Sequence, residues 1–163
     1  MRRNKKIKIS ISLITVIAVV VSSLVFLNHC SKKSTESQKA LRFEIKVFEL
    51  TNAERVKYNL PPFIWHDTLA KVARDHSEDM AKNNFVGSMG SDKSAPRERI
   101  ERAGVIGARS WGENVIANQS TPETVFKLFM NSPDHRANIF SLTSSHIGVG
   151  YVKNHWTQCF VDL

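Results

Sequence analysis

The chain has 163 residues, with 23 Lys and Arg against 15 Asp and Glu and a formal net charge of +8. That length suits one domain with a core of its own. Five of the basic residues fall in the first 30, leaving 18 basic against 15 acidic elsewhere, with no basic stripe interleaved with aromatics, so nucleic acid is excluded as a partner.

Residues 1–30 differ in kind from the rest. Arg2, Arg3, Lys5, Lys6 and Lys8 come with no acid, and Ile9 to Leu27 then carries no charge. A basic start before an apolar run reads as an export signal. The run is long enough to span a bilayer, yet Ser10, Ser12, Thr15, Ser22 and Ser23 dilute it, so cleavage and retention are both open. Positive residues ahead of the run hold that end in the cytoplasm and put the remainder outside. Cys30 has Leu27 three residues before it and a Ser/Lys-rich stretch after it. The position resembles the lipidated cysteine of a bacterial lipoprotein, although His29 departs from the small residue preferred there. Lipidation at Cys30, an uncleaved anchor helix and ordinary cleavage are the three alternatives. A bridge from Cys30 to Cys159 would tie the leader's edge to the last strand. Cys159 is therefore read as a lone thiol acting as a small buried hydrophobe. The expected organisation is a signal or anchor segment over 1–30, a polar tether over 31–39 and a domain over 40–163.

Lys39 to Tyr58 reads as a helix whose face is Leu41, Ile45, Phe48 and Asn52, widened by Phe43, Val47, Leu50 and Ala53 and stopped by Pro61-Pro62. Asp67 or Thr68 can cap a second helix to about Asn83, with Leu69, Val72, Ala73, His76 and Met80 on one face. His76 is then a core histidine with a satisfied hydrogen bond. A loop with Gly87 and Gly90 follows. Ser94-Ala95-Pro96 opens a short helix through Arg102, where Arg97, Glu98, Arg99 and Glu101 make a mostly solvated charged face. Thr121 caps a further helix with Pro122 at its first position. Val125, Leu128 and Phe129 form its buried side and Pro133 ends it. His135 and Arg136 then sit in a turn. Ile147 to Val152 and Trp156 to Val161 look like strands joined by Lys153-Asn154-His155. Gly148 and Gly150 in the first of them call for close approach of another backbone.

Several phrases together carry a family resemblance: L-T-N-A-E-R-V-K-Y-N-L-P-P-F-I-W-H at 50–66, L-A-K-V-A-R-D-H-S-E-D-M-A-K-N-N-F at 69–85, Gly112-Glu113-Asn114, N-S-P-D-H-R-A-N-I-F from Asn131, and I-G-V-G-Y-V from Ile147. In combination they resemble the CAP superfamily, the SCP-like extracellular domain, over about residues 40–163. The resemblance implies an α+β fold, a three-layer α–β–α sandwich, with Asn52 and Arg55 structural and Trp65 in the core. Many members hold two histidines and two acids in a central cleft. The cleft glutamate falls on Glu113 and the second histidine on His135. The first histidine's place is taken by Ser88, and the second acid's place falls near Ser132. One histidine and one acid fall short of the three or so protein ligands a zinc site needs, so no metal and no cofactor is expected. Glu113 is expected to hold the His135 imidazole and pin its turn. Ser88, His135 and Glu113 are also the residue types of a hydroxyl nucleophile, its base and the base's orienter.

The leading functional expectation is therefore an exported, membrane-anchored surface or outer-membrane lipoprotein. It would be a non-enzymatic binding domain for a host or envelope ligand, joined to the membrane through lipid or an anchor helix. Two alternatives stand beside it. One is a lipid or sterol binder, as reported for relatives, with Phe126, Phe129, Phe140 and the 84–91 loop as groove walls. The other is a hydrolase using Glu113 and His135.

Overall fold

The computed structural model describes the backbone of residues 13–163 and the side chains of 31, 32 and 34–163. The expectations for the leader and for lipidation at Cys30 rest on residues 1–12 and on the side chains of 1–30, which lie outside what is described. Among the described residues no helix is long and apolar enough to cross a membrane. The chain divides into two units, Met1–Gln38 and Lys39–Leu163. Helix α1 runs Leu13–Lys57, so the residues read as a tether, 31–39, are helical.

The second unit holds a four-stranded sheet: β1 (Ile64–Trp65), β2 (Trp111–Ala117), β3 (His146–Val152) and β4 (His155–Val161). The spatial order is β1-β3-β4-β2, with β1 parallel to β3 and the other pairs antiparallel. The helices are α2 (Asp67–Asn83), α3 (Pro96–Arg102), α4 (Pro122–Asn131) and α5 (Pro133–Ile139). One apolar cluster joins Val47 of α1, Val125 and Phe129 of α4 and Ile139 of α5 to Ile147, Val149, Trp156 and Phe160 of the sheet. A second joins Leu69, Val72 and Ala73 of α2 and Ile100 of α3 to Cys159 and Val161. Cys159 and Phe160 are neighbours on one strand and belong to different clusters, as strand alternation demands. Helices therefore cover both faces of the sheet, which is the α–β–α sandwich of the α+β class. Each large apolar side chain so buried contributes about 1.5–3 kcal/mol.

Close packing of α2 on β3 depends on Gly148 and Gly150. A Cβ on the first would collide with the backbone of Leu69 and Ala70, and one on the second with Ala73 and Arg74. The expected backbone approach at these glycines is thus realised. The face of α2 also matches the periodicity, with Leu69, Val72, Ala73, His76 and Met80 all buried.

Other elements depart from the sequence reading. The cap of α2 is His66, whose Nδ1 accepts from the Leu69 amide at 3.3 Å, one residue before the expected Asp67 or Thr68. Leu41 is 49 % exposed, and the buried line of α1 is Glu44, Val47, Thr51 and Arg55. Apolar periodicity misplaced this face because two of its members are charged and satisfied internally. Glu44 accepts from Arg74 at 2.8 Å and from the Tyr151 amide at 3.0 Å. Arg55 donates to the Pro61, Ile139 and Ser141 carbonyls at 2.7–2.9 Å and lies 3.6 Å from the Phe63 ring centroid. Asn52 clasps Phe63 through both backbone groups. Asn52 and Arg55 are therefore structural, as the resemblance implied. Trp65 is half-buried and packs edge-on against Phe48. Thr121 caps α4 as expected. Pro133 both follows that helix and starts α5, so His135 and Arg136 lie on a helix and not in a turn. Pro at the first helical position explains this, because its missing N–H has no partner to lose there. The β3–β4 turn is tighter than expected: Lys153 and Asn154 both take positive φ, a two-residue hairpin turn.

Candidate functional site

Strand β2 carries the Gly-Glu-Asn phrase and sends its residues to opposite faces of the sheet. Asn114 points toward α5, where its Nδ2 donates to the His135 carbonyl at 3.0 Å and to Gln158 Oε1 at 3.0 Å. Asn138 of α5 completes that side, donating to Asn114 Oδ1 at 2.8 Å and to the Glu113 carbonyl at 3.1 Å. A Cβ on Gly112 would meet the Asn138 side chain at 2.8 Å, so this glycine admits α5 against the strand. Asn138 thus reaches across from α5 to β2.

Glu113 points the other way, toward α2 and α3. Its side chain is 2 % exposed, and Oε2 accepts from Arg99 Nη2 at 2.7 Å. Arg99 is fixed in turn by the Ser94 and Ser88 carbonyls at 2.7 and 2.9 Å. His76 Nε2 is 3.8 Å from Glu113 Oε1, too long for a hydrogen bond. That ring nitrogen is 2.9 Å from the Gly87 carbonyl and donates to it, which assigns the proton to Nε2. Burial first, and the Arg99 charge second, hold the His76 pKa below its ordinary value. The imidazole is therefore neutral, and the charge pair of this site is Arg99 with Glu113. Burial pushes the Glu113 carboxyl above the ordinary carboxylate range, and the Arg99 charge, the Arg99 hydrogen bond and the Ser88 hydroxyl pull it back. Cys159 sits beneath it with its thiol pushed well up by burial and then by Glu113, which suits an inert core residue.

The sequence-derived site is thus split. Ser88 and Glu113 come together along a cavity of about 280 Å³ whose wall also includes Pro96, Arg97, Trp111 and Gly112. Ser88 itself is exposed. His135 is on α5, across the sheet, with its ring edge-on against Phe129 at 5.2 Å. Among the described residues no hydrogen bond or ion pair joins it to Glu113. The expected pairing of Glu113 with His135 is therefore corrected, and with it the arrangement of Ser88, His135 and Glu113 as nucleophile, base and orienter. Ser132 is the junction between α4 and α5 and lies outside the Glu113 site.

Arg99 is the residue that sequence reasoning missed. It was read as part of a solvated face, yet its side chain is 11 % exposed and neutralises Glu113. The signal available was a basic residue one position before buried Ile100 in a helix of only seven residues. Arg99 also decides the metal question. Among the described residues no three His, Cys, Asp or Glu could share an ion, and a guanidinium already stands against the Glu113 carboxylate, so these residues do not fit a metal. Of the groove walls expected from sequence, Phe129 is fully buried, while Phe126 and Phe140 are half-buried against the same core.

An α–β–α sandwich with α2 packed on the glycines of β3 and the Gly-Glu-Asn strand at the sheet's edge is an SCP-type domain. The model of the cysteine-rich secretory protein (CAP) family matches residues 48–161, and the chain belongs to that family. It is 43 % identical over 121 residues to the uncharacterized protein YkwD of Bacillus subtilis, covering 73 % of this chain and 47 % of YkwD. It is 31 % identical over 118 residues to the uncharacterized membrane protein YlbC of the same organism, covering 72 % of this chain and 34 % of YlbC. The match thus spans less than half the length of both curated relatives. Among solved structures, an extracellular protein containing an SCP domain from Bacillus anthracis superposes with a TM-score of 0.75 at 31 % identity. That match covers 78 % of this chain and 42 % of the other. Relatives of this chain thus include an extracellular protein and a membrane protein.

Proposed function

We propose that this chain is exported, is held at the membrane through lipid on Cys30 or an uncleaved anchor helix, and acts by binding a host or envelope ligand at its surface and not by catalysis. The observation that carries this reading is the state of Glu113. A general base must reach the proton it abstracts, and a nucleophile's base must reach the nucleophile. Glu113 is buried, bonded by Arg99 at 2.7 Å and separated by the sheet from His135. A carboxylate so held serves to fix α3 and the 84–91 loop on the sheet. Such a clamp favours a rigid scaffold that presents its outer loops. Export is supported by the basic, then uncharged, leader and by the extracellular and membrane relatives.

The test measures two things on the purified chain: saturable capture on extracellular-matrix and envelope preparations, and turnover of ester and peptide substrates. Capture without turnover is expected. Turnover that disappears in both Glu113→Gln and His135→Ala would overturn the reading in favour of hydrolysis. The mode of attachment is tested separately: with lipid on Cys30, Cys30→Ser loses acyl label and releases the chain from membranes, and with an uncleaved anchor helix it stays membrane-bound.

A further inference from the structure

Among the described residues, the buried side-chain polar atoms lacking a hydrogen-bond partner are His76 Nδ1, Arg99 Nε, Trp111 Nε1 and Glu113 Oε1. All four belong to one neighbourhood, and they are two acceptors and two donors. With its Nε2 proton given to Gly87, His76 offers a lone pair at Nδ1. Buried polar groups are paired as a rule, so four gathered in one place mark a site that a hydrogen-bonding guest completes.

Residues of the cluster line two cavities. One of about 250 Å³ is lined by His76 and Arg99 together with Asp75, Asp79, Asp92 and Arg102. The other, of about 280 Å³, is lined by Trp111, Glu113, Ser88, Pro96 and Arg97. Charge sorts the possible guests. A cation entering the second cavity meets Arg97 on its wall and Arg99 behind Glu113. An anion meets the Glu113 carboxylate, whose Oε1 can only accept and has the Ser88 hydroxyl nearby as its one local donor. The remaining class is uncharged and bifunctional, with a donor for Glu113 Oε1 and an acceptor for Trp111 Nε1–H. Gly112, between these residues, lines the space with its backbone. Arg97 lies over the indole at 4.2 Å, is anchored to Glu101 at 2.7 Å and is largely exposed, so it forms a wall able to swing outward.

We propose that this pocket takes a small uncharged ligand bearing an amide, the chemistry of a carboxamide or of a sugar N-acetyl group. The amide N–H donates to Glu113 and its carbonyl accepts from Trp111. The inference rests on the binding reading above and names the chemistry of one site within it.

Trp111 supplies the assay. The other two indoles are already bonded, Trp65 to Asp67 at 2.8 Å and Trp156 to the Gln119 carbonyl at 2.7 Å. The ¹⁵N-labelled chain is titrated with N-acetylglucosamine and with acetamide, and with acetate and guanidinium as charged controls. A saturable shift of the Trp111 indole and Gly112 amide resonances, and not of the other two indoles, is expected from the two amides and not from the ions. In Trp111→Phe, followed at the Gly112 amide, affinity is expected to fall about tenfold. Absence of a saturable shift, equal shifts from the ions, or undiminished affinity in Trp111→Phe would each overturn the proposal. If Trp111→Phe does not fold, the indole readout of the native chain decides alone. Surface capture that persists where the amides produce no shift removes this pocket and leaves the binding reading intact.

Discussion

Replacing Arg99 with Met removes the one cation bonded to a carboxylate that is 2 % exposed. Breaking a buried pair from one side costs about 3–5 kcal/mol, because the remaining charge is left without compensation. The Ser88 carbonyl loses the Arg99 donor as well, and the Ser94 carbonyl keeps only the Gly90 amide, which adds to the loss. The cost depends on pH, and its sign follows from Glu113. Burial already raises that carboxyl, and without Arg99 nothing of comparable strength opposes it. The folded variant then binds the Glu113 proton more tightly than the unfolded chain does. Its deficit relative to the native chain is smallest below the native folded value, grows as pH rises from there toward the higher folded value of the variant, and is full above it. Urea denaturation of the native chain and of Arg99→Met at pH 4.5, 6 and 8 measures this. A deficit of about 4 kcal/mol at pH 8, at roughly 3 °C per kcal/mol, also lowers Tm by about 12 °C. Adding Glu113→Leu to Arg99→Met is expected to recover most of the loss, since a pair replaced by apolar groups is often neutral. A deficit below about 1 kcal/mol at pH 8, or one independent of pH, would refute the reasoning.

His135→Ala is expected to leave the titration of Glu113 unmoved by carboxyl ¹³C NMR, whereas Arg99→Met raises it. An upward shift in His135→Ala would restore the pairing that the geometry denies. Gly150→Ala must push a methyl into the backbone of Ala73 and Arg74, two packed segments that cannot yield locally. Its cost should exceed about 3 kcal/mol by denaturant melts, and a variant as stable as native would contradict the packing of α2 on β3. Thr121→Ala removes the side chain that accepts from the Thr124 amide at 3.3 Å and should cost about 1 kcal/mol, read by the same melts. Asn114→Ala takes the Nδ2 donor from buried Gln158 Oε1 and from the His135 carbonyl, and the Oδ1 acceptor from Asn138, and should cost about 2–3 kcal/mol, whereas a surface-like cost of a few tenths would count against the Asn114–Asn138 link.

Local signals were legible wherever one short stretch of chain contains its own cause. The apolar period of α2, the Thr121-Pro122 start of α4 and the glycines of β3 each declare themselves this way, and the structure agrees with all three. Where a charged residue is buried against a distant partner, the same reading failed. Glu44 is satisfied by Arg74 and by Tyr151, which lies 107 residues away, so the face of α1 could not be found from its apolar residues. Strand β2 was not predicted, because Gly, Glu and Asn are poor strand formers, and it exists through its pairing with β4.

By itself, then, the sequence determined the family, the layered architecture and the identity of Glu113, Ser88 and His135 as residues to be placed. Only the tertiary structure decided which of them meet. A strand turns adjacent side chains to opposite faces, so a shift of one position separates Glu113 from the layer that holds Asn114, α5 and His135. Arg99 was free to reach Glu113 because α3 packs on that same face, a fact of three-dimensional packing that no local pattern encodes.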